Sequence, residues 1–322
     1  SRDRYYAGRS KRLLGIPGGR TCFPSSGAGA LHTGTGVGII FLWKDGLDLR
    51  LHQAARLGSR SMSAIVDFEC PPLNEVICGL HFRRMDRFTA PYVGLLWQKF
   101  QTHYPKCEVH PPLTLVSEQD TELQLEMSSF PRVWFVSEDS TRLVQVQQDL
   151  LIHNWRQVES STSYPRYKIV KDGFDDALSK FEAFVADHGL GAVEARQYEL
   201  SYVNFVPQGD GYESLGELGR LLPDFAWRRN TSRFLPDPSN VNYQTVFDLP
   251  NNNGKLRVSI QDALRRSDEK KLTRILIVVR GMHQSQDVST PDDWFELAHE
   301  WIVRAFLDLT SEEVQVKLWR KK

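Results

Sequence analysis

Residues 75–83 alternate in polarity: Val76, Cys78, Leu80 and Phe82 point one way, and Glu75, Ile77, Gly79 and His81 the other. A period of two with one apolar set predicts a strand buried on one face. The period then changes. Thr89 is placed to cap a helix, Pro91 fits its first turn, and Val93, Leu96, Trp97, Phe100 and Tyr104 fall at helical spacing until Pro105 ends it. Residues 105–130 are polar and Pro-containing and read as a long connection. Residues 132–137 predict a strand buried on both faces. Residues 142–147 and 150–156 predict a hairpin around Gln148-Asp149. A helix follows, capped at Asp172, with Phe174, Ala177, Leu178, Phe181, Phe184 and Val185 on one side and Gly189 at its C-terminal end.

The second part repeats this order. Residues 196–206 alternate, 214–222 predict a short helix, and 223–240 form a loop containing Pro and Arg. Strands are expected at 241–249, 255–261 and 272–280, with Asn251–Gly254 turning between the first two. Thr290-Pro291-Asp292-Asp293 is a strong helix start, and Trp294, Leu297, Ala298, Trp301, Ile302, Ala305, Phe306 and Leu309 mark its buried side. Each half thus reads β-α-β-β-β-α. The expected class is α+β: antiparallel strands with the helices on one face and a duplicated half. The element order resembles the repeated halves of TATA-binding-protein-like folds.

Charge divides the chain more sharply than hydropathy does. Residues 1–61 carry ten basic and three acidic side chains, so they are +7 and the remainder of a chain balanced at 40 against 40 is −7. Eleven of the 22 glycines also lie there, and no methionine precedes Met62. Residues 1–61 are therefore expected to be a flexible or artefactual leader, followed by two α+β halves at 62–190 and 191–322. The glycines of Gly27-x-Gly29 and Gly34-x-Gly36-x-Gly38 do not complete a phosphate-binding pattern. Val37–Trp43 is too short to cross a membrane. Cys22, Cys70, Cys78 and Cys107 form no CxxC pair and read as free thiols of a reducing compartment, so a cytoplasmic location is expected.

Several segments carry a family resemblance: Pro71-Pro72-Leu73-x-Glu75-Val76; Phe130-Pro131-Arg132-Val133-Trp134-Phe135; Val144-Gln145-Val146-Gln147 leading to Asn154-Trp155-Arg156; Tyr164-Pro165-Arg166-Tyr167; and Tyr198-Glu199-Leu200-Ser201-Tyr202-Val203-Asn204. In order and spacing, from about Ile65 to Trp319, the chain resembles the "sporadically distributed" conserved hypothetical proteins of prokaryotes. The resemblance implies a unit of fold length and genes that move horizontally, with a link to host–element conflict. It implies no mechanism.

Candidate chemistry is sparse. Glu75 and His81 share a strand face, where a carboxylate beside a histidine does acid–base work. Asn154 and Arg156 end one hairpin and Asn204 a later strand, and are expected to line a shared groove. Residues 225–234 interleave Phe225, Trp227 and Phe234 with Arg228, Arg229 and Arg233, the mixture that holds anionic partners. His103, Cys107, Glu108 and His110 lack zinc spacing, so no metal and no cofactor is expected. The acidic body weighs against nucleic acid. The leading expectation is a cytoplasmic binding or regulatory protein that takes a protein or a small anionic ligand through Asn154, Arg156, Asn204, Arg228, Arg229 and Arg233. The rivals are a hydrolase or nuclease built around Glu75 and His81, and a nucleic-acid-binding protein.

Overall fold

A computed structural model of the chain describes residues 66–113, 130–159, 162–227, 233–265 and 268–322. The expected leader at 1–61 and its boundary at Met62 lie outside these residues, as do Arg228 and Arg229. The first half runs β1 (Leu73–Phe82), α1 (Ala90–Phe100), β2 (Lys106–His110), β3 (Arg132–Val136), β4 (Arg142–Gln147), β5 (Leu150–Arg156) and α2 (Tyr167–Asp187). The second runs β6 (Ala195–Pro207), two short 3-10 turns (Leu215–Arg220 and Pro223–Phe225), β7 (Asn242–Asp248), β8 (Lys255–Leu264), β9 (Lys271–Gly281) and α3 (Pro291–Leu309), followed by α4 (Glu312–Lys317).

All nine strands join one antiparallel sheet in the order β2-β3-β4-β5-β1-β6-β9-β8-β7. The two first strands, β1 and β6, meet at the centre over the longest strand of the fold. From β1 the first half proceeds outward through β5, β4, β3 and β2; from β6 the second proceeds through β9, β8 and β7. The protein is α+β, and both halves share one continuous sheet rather than forming separate domains. Two elements differ from the sequence expectation. The supposed connection after Tyr104 contains β2, whose residues KCEVH are too few and too polar to announce a strand. In the second half the helix at the position of α1 is only 3-10.

The alternation in β1 is realised as read: Val76, Cys78, Leu80 and Phe82 lie in the core under the helices. Helix α2 packs on β1 and β5, and α3 on β6 and β9. Between them stand Phe88, Phe174, Phe181, Phe184 and Phe295, all fully buried, each contributing about 2–3 kcal/mol of transfer free energy. Helix α2 starts at Tyr167, not at Asp172, because the turn at Tyr164-Pro165-Arg166 releases the chain a full turn earlier; Asp172 instead binds Lys168 on the helix surface. Its end follows the glycine signal. Gly189 has φ +60°, and the Leu190 amide donates to the Val185 carbonyl at 2.9 Å. Helix α3 opens with a reciprocal cap between Thr290 and Asp293, and Trp294 donates from Nε1 to the Asn253 carbonyl at 2.8 Å. That bond fixes the helix to the β7–β8 turn.

Candidate functional site: a cavity between the two long helices

Where α2 and α3 diverge over the central strands, a cavity of about 690 Å³ opens. Its walls follow helical spacing: Tyr167, Lys171 and Asp175 from α2, and Asp292, Glu296, His299, Val303 and Phe306 from α3. Tyr202 and Asn204 of β6 and Leu73 of β1 form its floor, and Tyr164 closes one side. The site therefore takes one wall from each half of the chain.

Its polar groups fall into two sets. Deep in the cavity the ring of His299 stacks on Tyr167, with centroids 3.9 Å apart and planes at 12°. Tyr164 and Tyr202 share a hydrogen bond between their hydroxyls at 3.2 Å. The Tyr167 hydroxyl and His299 Nδ1 are buried, and neither has a hydrogen-bond partner. A buried polar atom left unpaired costs on the order of 1–3 kcal/mol, so two at one cavity are an unusual concentration. Burial drives the His299 pKa down to about 4, so the ring is neutral at pH 7. Burial likewise pushes the Tyr164, Tyr167 and Tyr202 hydroxyls up, and all three stay protonated. Cys78 lies fully buried with its thiol pKa raised by burial, so it is no nucleophile.

At the mouth, Lys171 is held between Asp175 and Asp292, each at 2.7 Å. Burial disfavours its charge, but the hydrogen bonds to both carboxylates outweigh burial and raise its pKa. Arg166 pairs with Asp67 at 2.6 Å and Lys168 with Asp172 at 2.9 Å. Glu296 stands one helical turn from His299, and burial raises its pKa. Asp67, Asp172, Asp175, Asp292 and Glu296 thus outnumber Arg166, Lys168 and Lys171 around the opening. The arrangement can bind an apolar, flat body against the tyrosines and exchange hydrogen bonds with Tyr167 and His299.

The residues singled out from sequence are distributed over both sheet faces. Asn204 lies on the cavity floor, buried, with its Nδ2 donating to the Ile275 carbonyl at 3.3 Å. Asn154 lies on the helix-free face, so the expected shared groove for the two asparagines does not form. The physical reason is positional: Asn154 is on β5, whereas Asn204 is on β6, which occupies the place of β1 in its half. Asn154 instead belongs to a row running across four adjacent strands. Arg132 Nη1 donates to Gln145 Oε1 at 2.9 Å, Gln145 Nε2 to Asn154 Oδ1 at 2.8 Å, and Asn154 Nδ2 to Glu75 Oε1 at 2.7 Å. Burial raises the Glu75 pKa against the opposing pull of Asn154, Arg156 and Arg274. Arg156 is opposite Glu75 in register and donates from Nε to the Ser140 carbonyl.

His81 takes a different partner. Its Nε2 lies 3.3 Å from Glu199 Oε2, which also accepts from Arg280 Nε at 2.8 Å, while Ser201 donates to Oε1. Burial by itself would raise Glu199, but His81, Arg280 and Ser201 together draw its pKa down to about 2. Glu75 and His81, six residues apart on one strand, are separated by roughly 20 Å and do not form a joint acid–base site. Arg233 lies over the Trp227 ring at 5.2 Å. Among the described residues no group of three His, Cys, Asp or Glu could hold a metal, and no helix is long and apolar enough to cross a membrane.

Sequence reasoning passed over Tyr167, His299, Glu296 and Glu199. Two signals mark them. Asp292, Glu296 and His299 form a polar stripe at helical spacing beside the apolar one on α3. Glu199 is the single carboxylate of the central strand β6 and stands in its buried stretch. No family model, no curated protein and no solved structure matches the chain.

Proposed function

We propose that this chain is a small-molecule-binding protein whose ligand occupies the cavity between α2 and α3. The observation that carries this reading is the pair of buried, unpartnered atoms, Tyr167 Oη and His299 Nδ1, at one cavity of about 690 Å³; pockets of this size enclose drug-sized ligands. The ligand class follows from the walls. An aromatic or alicyclic body suits the Tyr164, Tyr167 and Tyr202 rings, and one polar group meets the two free atoms. The acidic mouth favours a neutral or cationic molecule over the anionic one expected from Arg228, Arg229 and Arg233. The reading includes a cytoplasmic, regulatory role in a prokaryote, kinship with the sporadically distributed family, and origin of the two halves by duplication, with the ligand bound where the repeats meet.

The test is a thermal-shift screen of a fragment library against the wild type, Val303→Trp, which fills the mouth, and Tyr167→Phe, which removes the free hydroxyl. Fragments that raise the wild-type melting temperature should lose their effect in Val303→Trp. Polar fragments should weaken about tenfold in Tyr167→Phe, the equivalent of about 1.4 kcal/mol. Fragments that act equally on all three proteins would place binding elsewhere and end this reading. The first place to look would then be the arginines of the helix-free face, Arg132, Arg156, Arg257, Arg274 and Arg280.

A further inference from the structure

The sheet ends in two unlike edges. On one side, β2 is five residues long and carries Lys106, Glu108 and His110. Short length and charge are the ordinary protections of an edge strand. On the other side, β7 (NYQTVFD) has no lysine, arginine or proline, and pairs with β8 in unbroken register from Asn242 to Asp248. Among the described residues no strand pairs with its outer side, although β3, its counterpart in the first half, is covered by β2. Tyr243, Val246 and Phe247 are 42%, 42% and 47% exposed. In the run leading into the strand, Phe234 and Leu235 are 96% and 64% exposed. An unprotected edge with one charge and exposed apolar side chains is a template for another strand.

The backbone defines how that strand would pair. The Val241 carbonyl accepts from the Asp262 amide at 3.1 Å, and the Leu249 amide donates to the Gly254 carbonyl at 2.8 Å. Odd-numbered residues therefore direct their backbone groups to β8. Asn242, Gln244, Val246 and Asp248 direct theirs outward.

We propose that β7 is the seam of a homodimer, in which two copies of this chain pair their β7 strands antiparallel about a two-fold axis through Thr245. The sequence of the strand is complementary to itself in that register. Thr245 faces the partner's Thr245. Tyr243 faces the partner's Phe247, and Phe247 the partner's Tyr243, at positions without backbone hydrogen bonds, where opposed side chains come closest. Aromatic and Thr–Thr cross-strand pairs each stabilise a sheet by about 0.2–1 kcal/mol. Gln244 faces the partner's Val246, and Asn242 the partner's Asp248, both through the outward backbone groups. Asp248 is the strand's single charge and meets an amide, so no like charges oppose each other. An unrelated strand would have no reason to match this pattern. A second copy matches it by symmetry. The sheet would then run continuously through both copies.

The experiment uses the full chain in sedimentation velocity from low to high micromolar concentration. The wild type should dimerise with a Kd of roughly 1–100 µM, as expected of a small interface. In the double variant Gln244→Lys/Val246→Lys, a lysine opposes a lysine at each pair, and the Kd should rise at least about tenfold. In Gln244→Lys/Val246→Glu, opposite charges meet, and dimerisation should return. The two variants alter the same outward positions and differ only in the sign of one charge, so a general effect on folding would strike both. Thr245→Cys supplies a second measurement. Opposed residues of a non-hydrogen-bonded antiparallel pair lie about 4.5 Å apart at Cα, within disulfide reach, so mild oxidation should yield a covalent dimer beyond any formed by the wild-type cysteines. A wild type that stays monomeric throughout, a dimer indifferent to the sign of the charge at 246, or a Thr245→Cys protein that forms no additional cross-link would each overturn the proposal.

Discussion

The two faces of the central sheet solve the same burial problem in opposite ways. Under the helices, β1 and β6 present Val76, Cys78, Leu80, Leu200 and Tyr202 to a core rich in phenylalanine. On the other face the same two strands present Glu75, His81, Glu199 and Ser201, which bond to one another and to Asn154 and Arg280 of the flanking strands. On the helix-free face the carboxylates are bonded into rows, while Arg132 Nε and Trp134 Nε1 stay without a partner; on the helix side Tyr167 Oη and His299 Nδ1 are unbonded beside a cavity of about 690 Å³. Satisfied buried polar networks fix a register, because a one-residue slip of β1 against β6 would separate His81 from Glu199. Unsatisfied groups beside a cavity fit a ligand better than they fit a structural role. The difference suits the proposed reading, in which the arginine–carboxylate face serves architecture and the tyrosine–histidine face binding.

The largest expected effect tests the first assignment. Removing Glu199 takes the shared partner from the buried His81 and from Arg280, and Glu199→Ala should cost about 3 kcal/mol in urea unfolding, the low end for a buried pair because the Arg280 side chain is 40% exposed. Phe181→Ala on the other face should cost a similar amount, about 3–5 kcal/mol, through a cavity. Compensation separates them. Glu199→Leu combined with His81→Leu and Arg280→Leu should regain most of the loss, because a buried ion network is replaceable by apolar volume. If the triple variant is no more stable than Glu199→Ala, the network contributes more than mutual compensation and the contrast between the faces is misdrawn.

Acid should dissolve the two faces in different pH windows. His153, 1% exposed under α2, and His299 have pKa values lowered by burial to about 4 from an ordinary 6.5. Between those values the unfolded chain binds more protons than the folded one, so stability falls as pH drops from 6.5 towards 4. The loss should be about 3 kcal/mol from His153 and about half that from the more open His299. Glu199 acts lower: its folded pKa of about 2 lies below the ordinary 4.5, so its contribution is complete above 4.5 and disappears as pH falls towards 2. Unfolding free energies for His153→Gln/His299→Gln from pH 7 down through 5 and 4 to 2.5 should give a flatter upper limb than the wild type, with the lower limb intact.

Much of this architecture was legible in the sequence, and the partners were not. The alternation in residues 75–83, the Gly189 stop and the Thr290–Asp293 start are local signals, and local geometry realises them. Strand β2 stayed hidden because an exposed edge strand needs no apolar period. Asp172 resembles a cap and points to a later start for helix α2, although the turn after Pro165 starts the helix. The pairing of His81 with Glu199 spans 118 residues and that of Asn154 with Glu75 spans 79. Nothing in either local stretch records which of several candidate partners the register will deliver. Glu75 and His81 look paired because they share a strand face, but strand rise sets them several residues apart and cross-strand neighbours take both.

The smallest of the expected effects sharpens the comparison at a single contact. Gly173 lies inside α2, where glycine ordinarily weakens a helix by about 1 kcal/mol relative to alanine. Replacement by alanine should therefore stabilise an exposed helix. Here the helix passes directly over His153 of β5, and a Cβ at position 173 would stand 2.6 Å from His153 Cε1 and 2.8 Å from Nε2. The imidazole cannot retreat easily, since its Nε2 is 3.2 Å from the Tyr104 hydroxyl and the ring is enclosed. Either α2 lifts from the sheet or His153 leaves its rotamer, and Gly173→Ala should destabilise by about 2 kcal/mol despite the gain in helix propensity. In a His153→Ala background the obstacle is gone and the cavity has room for a methyl group, so the same substitution should become neutral or stabilising. The sign reversal between the two backgrounds is what a double-mutant cycle measures. A loss of equal size in both would mean that α2 sits on the sheet through other contacts and that the glycine is there for a different reason.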